Sequence, residues 1–267
     1  MRKSFIGIIL LIFIFLFLSI FSGMNTERID IAGSTSVQPL AEVLVEEYSK
    51  DHPDLKINVQ GGGSGMGIRS ISQEIADIGM SSKELTAEEM KGLEVVEIGK
   101  EGIVIGVSNS NPINDLSTEE LRQIFSGEIT NWKELGGLDE EIHVVTREEG
   151  SGTRSAFESI VMGDSDIRND ATVQSSTESV KQTVSTDSSA IGYMSLAHMS
   201  NEVKPLTINE VEPSEENIVN ELYELQRPFL FLISENHSEE IDEFINWIKS
   251  PEGEKIIKAQ KIVPSTD

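Results

Sequence analysis

The sequence predicts an α/β fold of two Rossmann-like lobes that are joined by two hinge strands. Segments with the pattern of strands alternate with segments that have the period of helices, which is typical of parallel α/β architecture. Two strand-like segments, 102–107 and 226–233, are more apolar than the others. If both cross between lobes, residues 29–104 plus 231–267 form lobe I and residues 108–226 form lobe II. A single doubly wound domain is the alternative that the sequence leaves open.

The first 24 residues have the pattern of an export signal or a membrane anchor and are not expected to belong to the fold. Arg2 and Lys3 form a basic head, and residues 5–21 are phenylalanine, isoleucine and leucine with two exceptions. This stretch is long for a cleaved signal and approaches the roughly 17–25 residues that span a bilayer. We expect residues 1–24 to be a signal peptide or an anchor helix. The rest is expected to be exported to the periplasm or to the outer face of the cell membrane, where this segment would tether it if retained.

Composition limits the partners and the chemistry of the chain. The net charge is −25, from 21 lysines and arginines against 46 aspartates and glutamates, and it becomes about −27 without Arg2 and Lys3. Such a surface argues against nucleic acid and against anionic membrane headgroups. The chain has no cysteine, and its four histidines lack the spacing of a metal site. We therefore expect no disulfide, no metal and no cofactor.

Three junctions in the first part of the chain repeat one order of elements: a strand, a loop of glycine and hydroxyl residues, and a helix. The loops carry the following hydroxyl side chains: Thr35 and Ser36 after residues 28–32, Ser64 after residues 56–60, and Ser82 after residues 76–80. Apolar residues at helical spacing predict helices after the first two loops. A third helix, capped by Thr86, is predicted after Ser82.

Segment 146–154, with the sequence TREEGSGTR, is a fourth junction of the same kind. The first backbone N–H groups of a helix are unpaired and lie at the positive end of its dipole. Ser151, Gly152 and Thr153 place hydroxyl donors and a small residue at that end, and Arg147 adds a planar guanidinium group suited to a tetrahedral oxyanion. One such loop is often only a helix cap. Four loops of one chemistry predict an anion site.

The remaining segments continue the alternation of strands and helices. Residues 117–120 have the sequence of a capping box, which predicts a helix start. Residues 209–224 are acidic and polar, which predicts a surface helix and loop. The elements predicted after residue 90 are strands at 94–98, 102–107, 142–146, 190–194 and 226–233, and helices that begin near 117, 155, 175, 238 and 251.

The four loops resemble the phosphate-contacting motifs of a known family, the periplasmic phosphate-binding proteins of the PstS type. These proteins are the receptors of high-affinity phosphate ABC transporters. The motifs that carry the resemblance are GSTS at 33–36, GS at 63–64, DIGMSS at 77–82, and Arg147 followed by GSGT at 150–153. Segments 125–132, 190–193 and 227–228 also match, so the resemblance covers the whole chain after the signal.

The resemblance implies a type II periplasmic-binding fold with one phosphate in the cleft between the lobes. It also implies a monomer that captures inorganic phosphate outside the cytoplasm and delivers it to the permease subunits of an ABC transporter in the membrane. The phosphate-binding residues that it implies are Thr35, Ser36, Ser64, Ser82, Arg147, Ser151, Gly152 and Thr153.

Position 82 departs from part of the family. Some members have an aspartate there, which accepts the proton of bound monohydrogen phosphate, whereas this chain has Ser82. A serine hydroxyl can donate or accept a hydrogen bond, so position 82 does not by itself explain how sulfate would be rejected. The candidate acceptors elsewhere in the sequence are Asp77, Glu148 and Glu149.

Other functional classes fit the sequence less well. A serine hydrolase needs an activated nucleophile, but segment 62–66 lacks the final glycine of Gly-x-Ser-x-Gly and no histidine adjoins a motif. A P-loop enzyme fails because no glycine run ends in Gly-Lys-Ser/Thr. We therefore predict that the protein is not an enzyme. A receptor for sulfate, molybdate or tungstate is the nearest alternative, and a surface adhesion or signalling protein with a retained anion site is another.

Overall fold

The computed structural model describes residues 28–265, so the predicted signal or anchor at residues 1–24 lies outside the described part of the chain. The strands are β1 (Arg28–Gly33), β2 (Lys56–Gly61), β3 (Ile78–Ser81), β4 (Leu93–Ser108), β5 (Asp115–Leu116), β6 (His143–Arg147), β7 (Thr172–Gln174), β8 (Ala190–Ser195), β9 (Val203–Pro205), β10 (Thr207–Ile208), β11 (Gln226–Ser234) and β12 (Val263–Pro264). Among residues 28–265, no helix combines the length and the apolarity that crossing a membrane requires.

Helices connect most of the longer strands. The α-helices are α1 (Gln38–Asp51), α2 (Ser64–Ser72), α3 (Thr118–Ser126), α4 (Gly152–Phe157), α5 (Thr177–Thr186), α6 (Glu215–Val219), α7 (Glu239–Ile248) and α8 (Pro251–Ala259). A π-helical turn, Glu158–Met162, continues α4, and 3₁₀ turns are formed by Trp132–Leu135 and Leu196–His198. The predicted alternation of strands and helices is therefore present.

One sheet runs through the molecule in the strand order β2-β1-β3-β11-β4-β8-β6-β7, with β9 and β12 paired to β4. At one end β1 pairs in parallel with β2 and β3, and at the other end β6 pairs in parallel with β7 and β8. The two central strands, β4 and β11, are antiparallel to each other. Because parallel strands finish at the same edge of a sheet, the loops after β1, β2 and β3 converge.

Strands β4 and β11 connect two large clusters of buried apolar residues. One cluster takes its residues from 29–98 and 229–262, and the other takes them from 103–225. The change from one cluster to the other occurs between Ile98 and Ile103 on β4 and around residues 225–229 at the start of β11. Residues 101–108 of β4 and 227–233 of β11 are buried at every position. Strand segments that are buried on both faces are largely apolar, which accounts for the apolar character of 102–107 and 226–233 in the sequence. We propose that these clusters are the cores of the two lobes predicted from the sequence.

Helix starts follow the capping residues that the sequence indicates. The Ser117 side chain accepts a hydrogen bond from the Glu120 backbone N–H, and the Glu120 carboxylate accepts one from Ser117, so the predicted capping box is confirmed. Ser176 caps α5 by accepting from the Ser179 N–H. Such caps satisfy N–H groups that have no partner inside the helix.

Two predicted elements differ from the structure. The helix expected after Ser82 is only a turn, because Gly92 with φ of +73° ends the segment and β4 begins at the next residue. Thr86 still exchanges hydrogen bonds with Glu89, as in a capping box. The strands predicted at 94–98 and 102–107 are one strand, β4, because the residues between them continue the pairing with β11.

A buried tryptophan offers a test of the core of lobe II. Trp132 is 1% exposed and its indole N–H donates to the Ser189 carbonyl oxygen at 3.0 Å. We expect Trp132→Ala to lower the free energy of unfolding in urea by about 3–5 kcal/mol, because it leaves a cavity in the core. Leu138→Ala, at a nearby side chain that is 52% exposed, should change it by less than about 0.5 kcal/mol. Equal effects of the two substitutions would contradict this placement of Trp132.

Candidate functional site

Arg147 ends β6 as a buried cation at the carboxyl edge of the sheet. It is 1% exposed, and its backbone N–H donates to the Tyr193 hydroxyl oxygen at 3.2 Å. The same hydroxyl lies 2.6 Å from the Thr146 hydroxyl. Burial raises the pKa of Tyr193 to about 12, so the phenol keeps its proton at neutral pH. Tyr193 on β8 therefore fixes the backbone from which the Arg147 side chain extends.

The Arg147 guanidinium group reaches from one lobe to the other. Its Nη1 donates to Thr177 Oγ1 at 3.1 Å, at the first residue of α5. Its Nη2 donates to Thr35 Oγ1 at 3.2 Å, in the loop that follows β1. A buried charge is stable only when it is paired and hydrogen-bonded. The Arg147 guanidinium group therefore has hydrogen-bond partners on both sides of the cleft.

Glu148 is the carboxylate that faces Arg147. Its two oxygens accept from Nε and Nη2 of Arg147, each at 2.9 Å. The other candidate acceptors are elsewhere: Asp77 accepts from the backbone N–H of Asp30 at 2.7 Å, beside the start of β3, and Glu149 is exposed. Of the three carboxylates named from the sequence, only Glu148 touches the candidate site.

The start of α4, a few residues after Arg147 in the chain, supplies backbone N–H donors to the site. Ser151 is the N-cap, and its hydroxyl accepts from the Arg154 N–H at 3.3 Å. The N–H groups of Gly152 and Thr153, in the first turn, have no partner within the helix. The Thr153 hydroxyl lies 3.0 Å from that of Ser36, and Ser36 also lies 3.0 Å from the Thr177 hydroxyl.

Glycine residues allow the two lobes to approach each other. The N–H of Gly65 donates to the carbonyl oxygen of Gly150 at 3.0 Å, across the cleft. Gly63 has a φ of +87°, and a Cβ added there would lie 2.9 Å from that same oxygen. A Cβ added to Gly152 would lie 2.2 Å from Ser64 Oγ and 2.7 Å from Ser82 Oγ. Larger residues at Gly63 or Gly152 would therefore force the lobes apart.

The loops of lobe I present a buried cluster of three serines to the cleft. Ser34 Oγ donates to Ser82 Oγ at 2.8 Å, and the Ser82 N–H donates to Ser64 Oγ at 3.0 Å. Each of these serines is at most 2% exposed. Arg227 of β11 adds a cation, because its Nη1 lies 3.3 Å from Ser82 Oγ and 3.4 Å from the Ser82 carbonyl oxygen.

Arg227 is held by a buried carboxylate on the neighbouring hinge strand. Glu101 of β4 lies directly opposite Arg227 of β11, and its Oε1 accepts from Nη2 at 2.6 Å and from Nε at 3.1 Å. The Ser195 hydroxyl donates to the other oxygen of Glu101. Both charged side chains are almost fully buried. The two hinge strands and β8 are thus joined by one polar cluster that also touches Ser82.

The structure brings the eight residues predicted from the sequence to one place, where the ends of β1, β2, β3 and β6 face each other. Their role as ligands stays a prediction. Sequence reasoning missed Ser34, Thr177 and Arg227 as members of the site. The motif GSTS contains Ser34, Thr177 follows a recognisable helix cap, and Arg227 belongs to a matching segment. None of these signals indicates a contact with the cleft. Among residues 28–265, no group of three or more acidic or histidine side chains is placed to hold a metal ion.

The fold and the cleft define a two-lobed solute-binding protein, and the family model of the PBP superfamily domain matches residues 22–252. The predicted type II periplasmic-binding fold is therefore confirmed. Phosphate-binding protein PstS of Bacillus subtilis (strain 168) is 32% identical over 244 residues, which cover 89% of this chain and 80% of the relative. PstS of Borreliella burgdorferi is 26% identical over 88% of this chain and 89% of its own length. The chain belongs to the PstS family of phosphate-binding proteins, which confirms the resemblance seen in the sequence.

Solved structures show the same relationship. A Clostridium perfringens protein that was crystallised with bound phosphate superposes with a TM-score of 0.88 at 36% identity, over 90% of this chain and all of that chain. An ABC-type phosphate transport receptor from Vibrio cholerae gives a TM-score of 0.75 at 38% identity, over 89% of this chain and all of that chain.

Proposed function

We propose that this protein captures inorganic phosphate in the cleft between its lobes and delivers it to the permease of an ABC transporter. The observation that carries this proposal is the buried guanidinium group of Arg147, which donates to the Thr177 hydroxyl in its own lobe and to the Thr35 hydroxyl in the other lobe. The start of α4 lies beside it and adds backbone donors. Two relatives bear the name phosphate-binding protein, which supports phosphate, rather than sulfate, molybdate or tungstate, as the ligand proposed for this chain.

The donors around the cleft suit a tetrahedral oxyanion. The proposed ligands are Thr35, Ser36, Ser64, Ser82, Arg147, Ser151, Gly152 and Thr153. Hydroxyl groups, backbone N–H groups and a planar guanidinium group each donate to an anionic oxygen. The net charge of −25 does not oppose this, because surface charges are screened within about 8–10 Å whereas a buried site responds to its own dipoles and donors.

Binding is coupled to closure of the lobes in this proposal. The contacts from Arg147 to Thr35, from Thr153 to Ser36 and from Gly65 to Gly150 all join the two lobes. An anion that is contacted from both sides is bound fully only by the closed form, so it selects that form. Opening the lobes at the permease would release the anion.

We further propose that the protein works as a monomer and as a binding protein that does not change its ligand. The hydroxyls of the cleft hydrogen-bond to each other, to Arg147, to Arg227 or to backbone N–H groups, and no histidine within residues 28–265 hydrogen-bonds to them. Export to the periplasm or to the outer face of the membrane would place the receptor where its permease partners receive phosphate. Retention of residues 1–24 would tether it there.

Removal of the buried cation tests the proposed function. We expect Arg147→Ala to weaken phosphate binding by about 2–5 kcal/mol in calorimetric titration, because a buried anion would lose its direct charged partner. Arg122→Ala is the matched control, since this arginine lies on the surface, paired with Glu119 and Glu128, and should leave affinity unchanged. Circular dichroism would verify that both variants fold. Affinity of Arg147→Ala within about twofold of the wild type would remove Arg147 from the site.

Lobe closure can be tested with two glycines of the same loop. Gly152→Ala should oppose closure, because its Cβ would lie 2.2 Å from Ser64 Oγ, whereas a Cβ at Gly150 has no heavy atom within 4 Å. We expect small-angle scattering to show that phosphate reduces the radius of gyration of the wild type and of Gly150→Ala. Gly152→Ala should show a smaller change and at least about tenfold weaker binding. A wild-type profile that is identical with and without saturating phosphate would rule out the clamp.

A further inference from the structure

The hydroxyl of Ser34 can act toward Ser82 only as a hydrogen-bond donor. Its oxygen accepts from the backbone N–H groups of Ser36 at 3.2 Å and of Val37 at 3.4 Å. A hydroxyl group offers one hydrogen and two acceptor positions. With both acceptor positions used, the Ser34 hydrogen is directed to Ser82 Oγ, which lies 2.8 Å away.

The acceptor positions of Ser82 are occupied in the same way. One receives the Ser34 hydrogen, and the other faces Nη1 of Arg227 at 3.3 Å. What remains for Ser82 is to donate its own hydrogen. The nearest hydroxyl oxygen beyond Ser34 is that of Ser64 at 3.4 Å, the longest of the three contacts of the Ser82 hydroxyl. The Ser82 hydrogen is therefore free for a better acceptor.

Arg227 cannot readily leave its position beside Ser82. Its Nε and Nη2 are both hydrogen-bonded to Glu101, and its guanidinium carbon lies 5.7 Å from the centre of the Phe229 ring. The side chain is 1% exposed, so it is shielded from bulk solvent. A fixed cation next to the lone pairs of Ser82 disfavours any arrangement in which Ser82 accepts a proton from a ligand.

The acidic residues named from the sequence, Asp77, Glu148 and Glu149, offer no free acceptor at the cleft. Of the three acidic residues considered above, Glu148 alone reaches the site, and both of its oxygens are held by Arg147. An aspartate opposite sulfate would leave two acceptors facing each other, a mismatch of the kind that gives about 10⁴–10⁵ discrimination. A donor at position 82 does not create that mismatch.

We propose that Ser82 is a fixed hydrogen-bond donor to the anion, that Arg227 is the positioning residue that fixes it, and that the site therefore accepts fully ionised tetrahedral dianions such as sulfate besides monohydrogen phosphate. This inference rests on the proposed function. It assigns to the hinge strands a part in selecting the ligand, because Arg227 and Glu101 belong to β11 and β4.

Competition calorimetry with phosphate and sulfate tests the role of Ser82. We expect the wild type to prefer phosphate by less than about 10³-fold, well below the discrimination of an opposed carboxylate. Ser82→Asp should weaken the binding of sulfate at least about tenfold more than the binding of phosphate. Ser82→Ala should weaken the binding of both anions by the same factor. Ser81→Ala is the matched control, because Ser81 is equally buried but bonds to Lys83, and it should leave the ratio of the two affinities unchanged.

The role of Arg227 is tested without leaving a buried charge unpaired. Replacing the pair together, Glu101→Gln with Arg227→Met, removes both charges, which proteins often tolerate. Without the cation, the Ser82 hydroxyl oxygen could accept a hydrogen bond from the proton of monohydrogen phosphate, which sulfate lacks. The dissociation constant for sulfate should therefore rise about tenfold relative to that for phosphate. Arg227→Lys keeps a cation and should retain the wild-type ratio. A purely structural role would lower both affinities together and leave the ratio unchanged.

The outcomes separate this inference from the proposed function. If the protein binds phosphate and a large excess of sulfate does not compete, the donor role of Ser82 is wrong and the proposed function still stands. An unchanged ratio in the Glu101→Gln, Arg227→Met variant would overturn the role of Arg227. A wild type that binds no phosphate at all would overturn the proposed function and this inference with it.

Discussion

A guanidinium ion that is 1% exposed must be compensated by its neighbours, and much of this molecule is arranged around that requirement at Arg147. One edge of the ion is held by Glu148 and the other by hydroxyls of Thr177 and Thr35. Since Thr35 belongs to lobe I, one of these hydrogen bonds joins the two lobes. The same side chain therefore places a cation beside a cleft that is lined by hydrogen-bonding groups, which is the arrangement that an anion receptor needs.

The two hinge strands do more than connect the lobes. They lie at the centre of the sheet, and their directly opposed residues Glu101 and Arg227 form a buried ion pair. Breaking such a pair by removing one partner is expensive, although a buried pair often adds little net stability. The ion pair here holds Arg227 in place, and Arg227 in turn contacts Ser82 at the edge of the cleft.

The acidic surface and the anion site are compatible because they act over different distances. A net charge of −25 favours solubility and repels polyanions, but it is screened by salt. The cleft brings Arg147, the first turn of α4 and the hydroxyls of three loops within hydrogen-bond distance of one another. An anion in the cleft would therefore respond to the local donors more strongly than to the overall charge.

The sequence by itself determined the α/β class, most strands and helices, the capping box at Ser117, and the loops that carry the eight candidate ligands. These features depend on local patterns of apolar, glycine and hydroxyl residues, which are visible along the chain. The turn after Ser82 and the continuity of β4 were not predictable, because Gly92 and pairing with β11 override the local pattern. Only the tertiary structure decided that Thr177 and Arg227 reach the cleft and that Glu148, not Asp77, faces Arg147. Such contacts join residues far apart in the chain, and sequence spacing carries no measure of the distance between them.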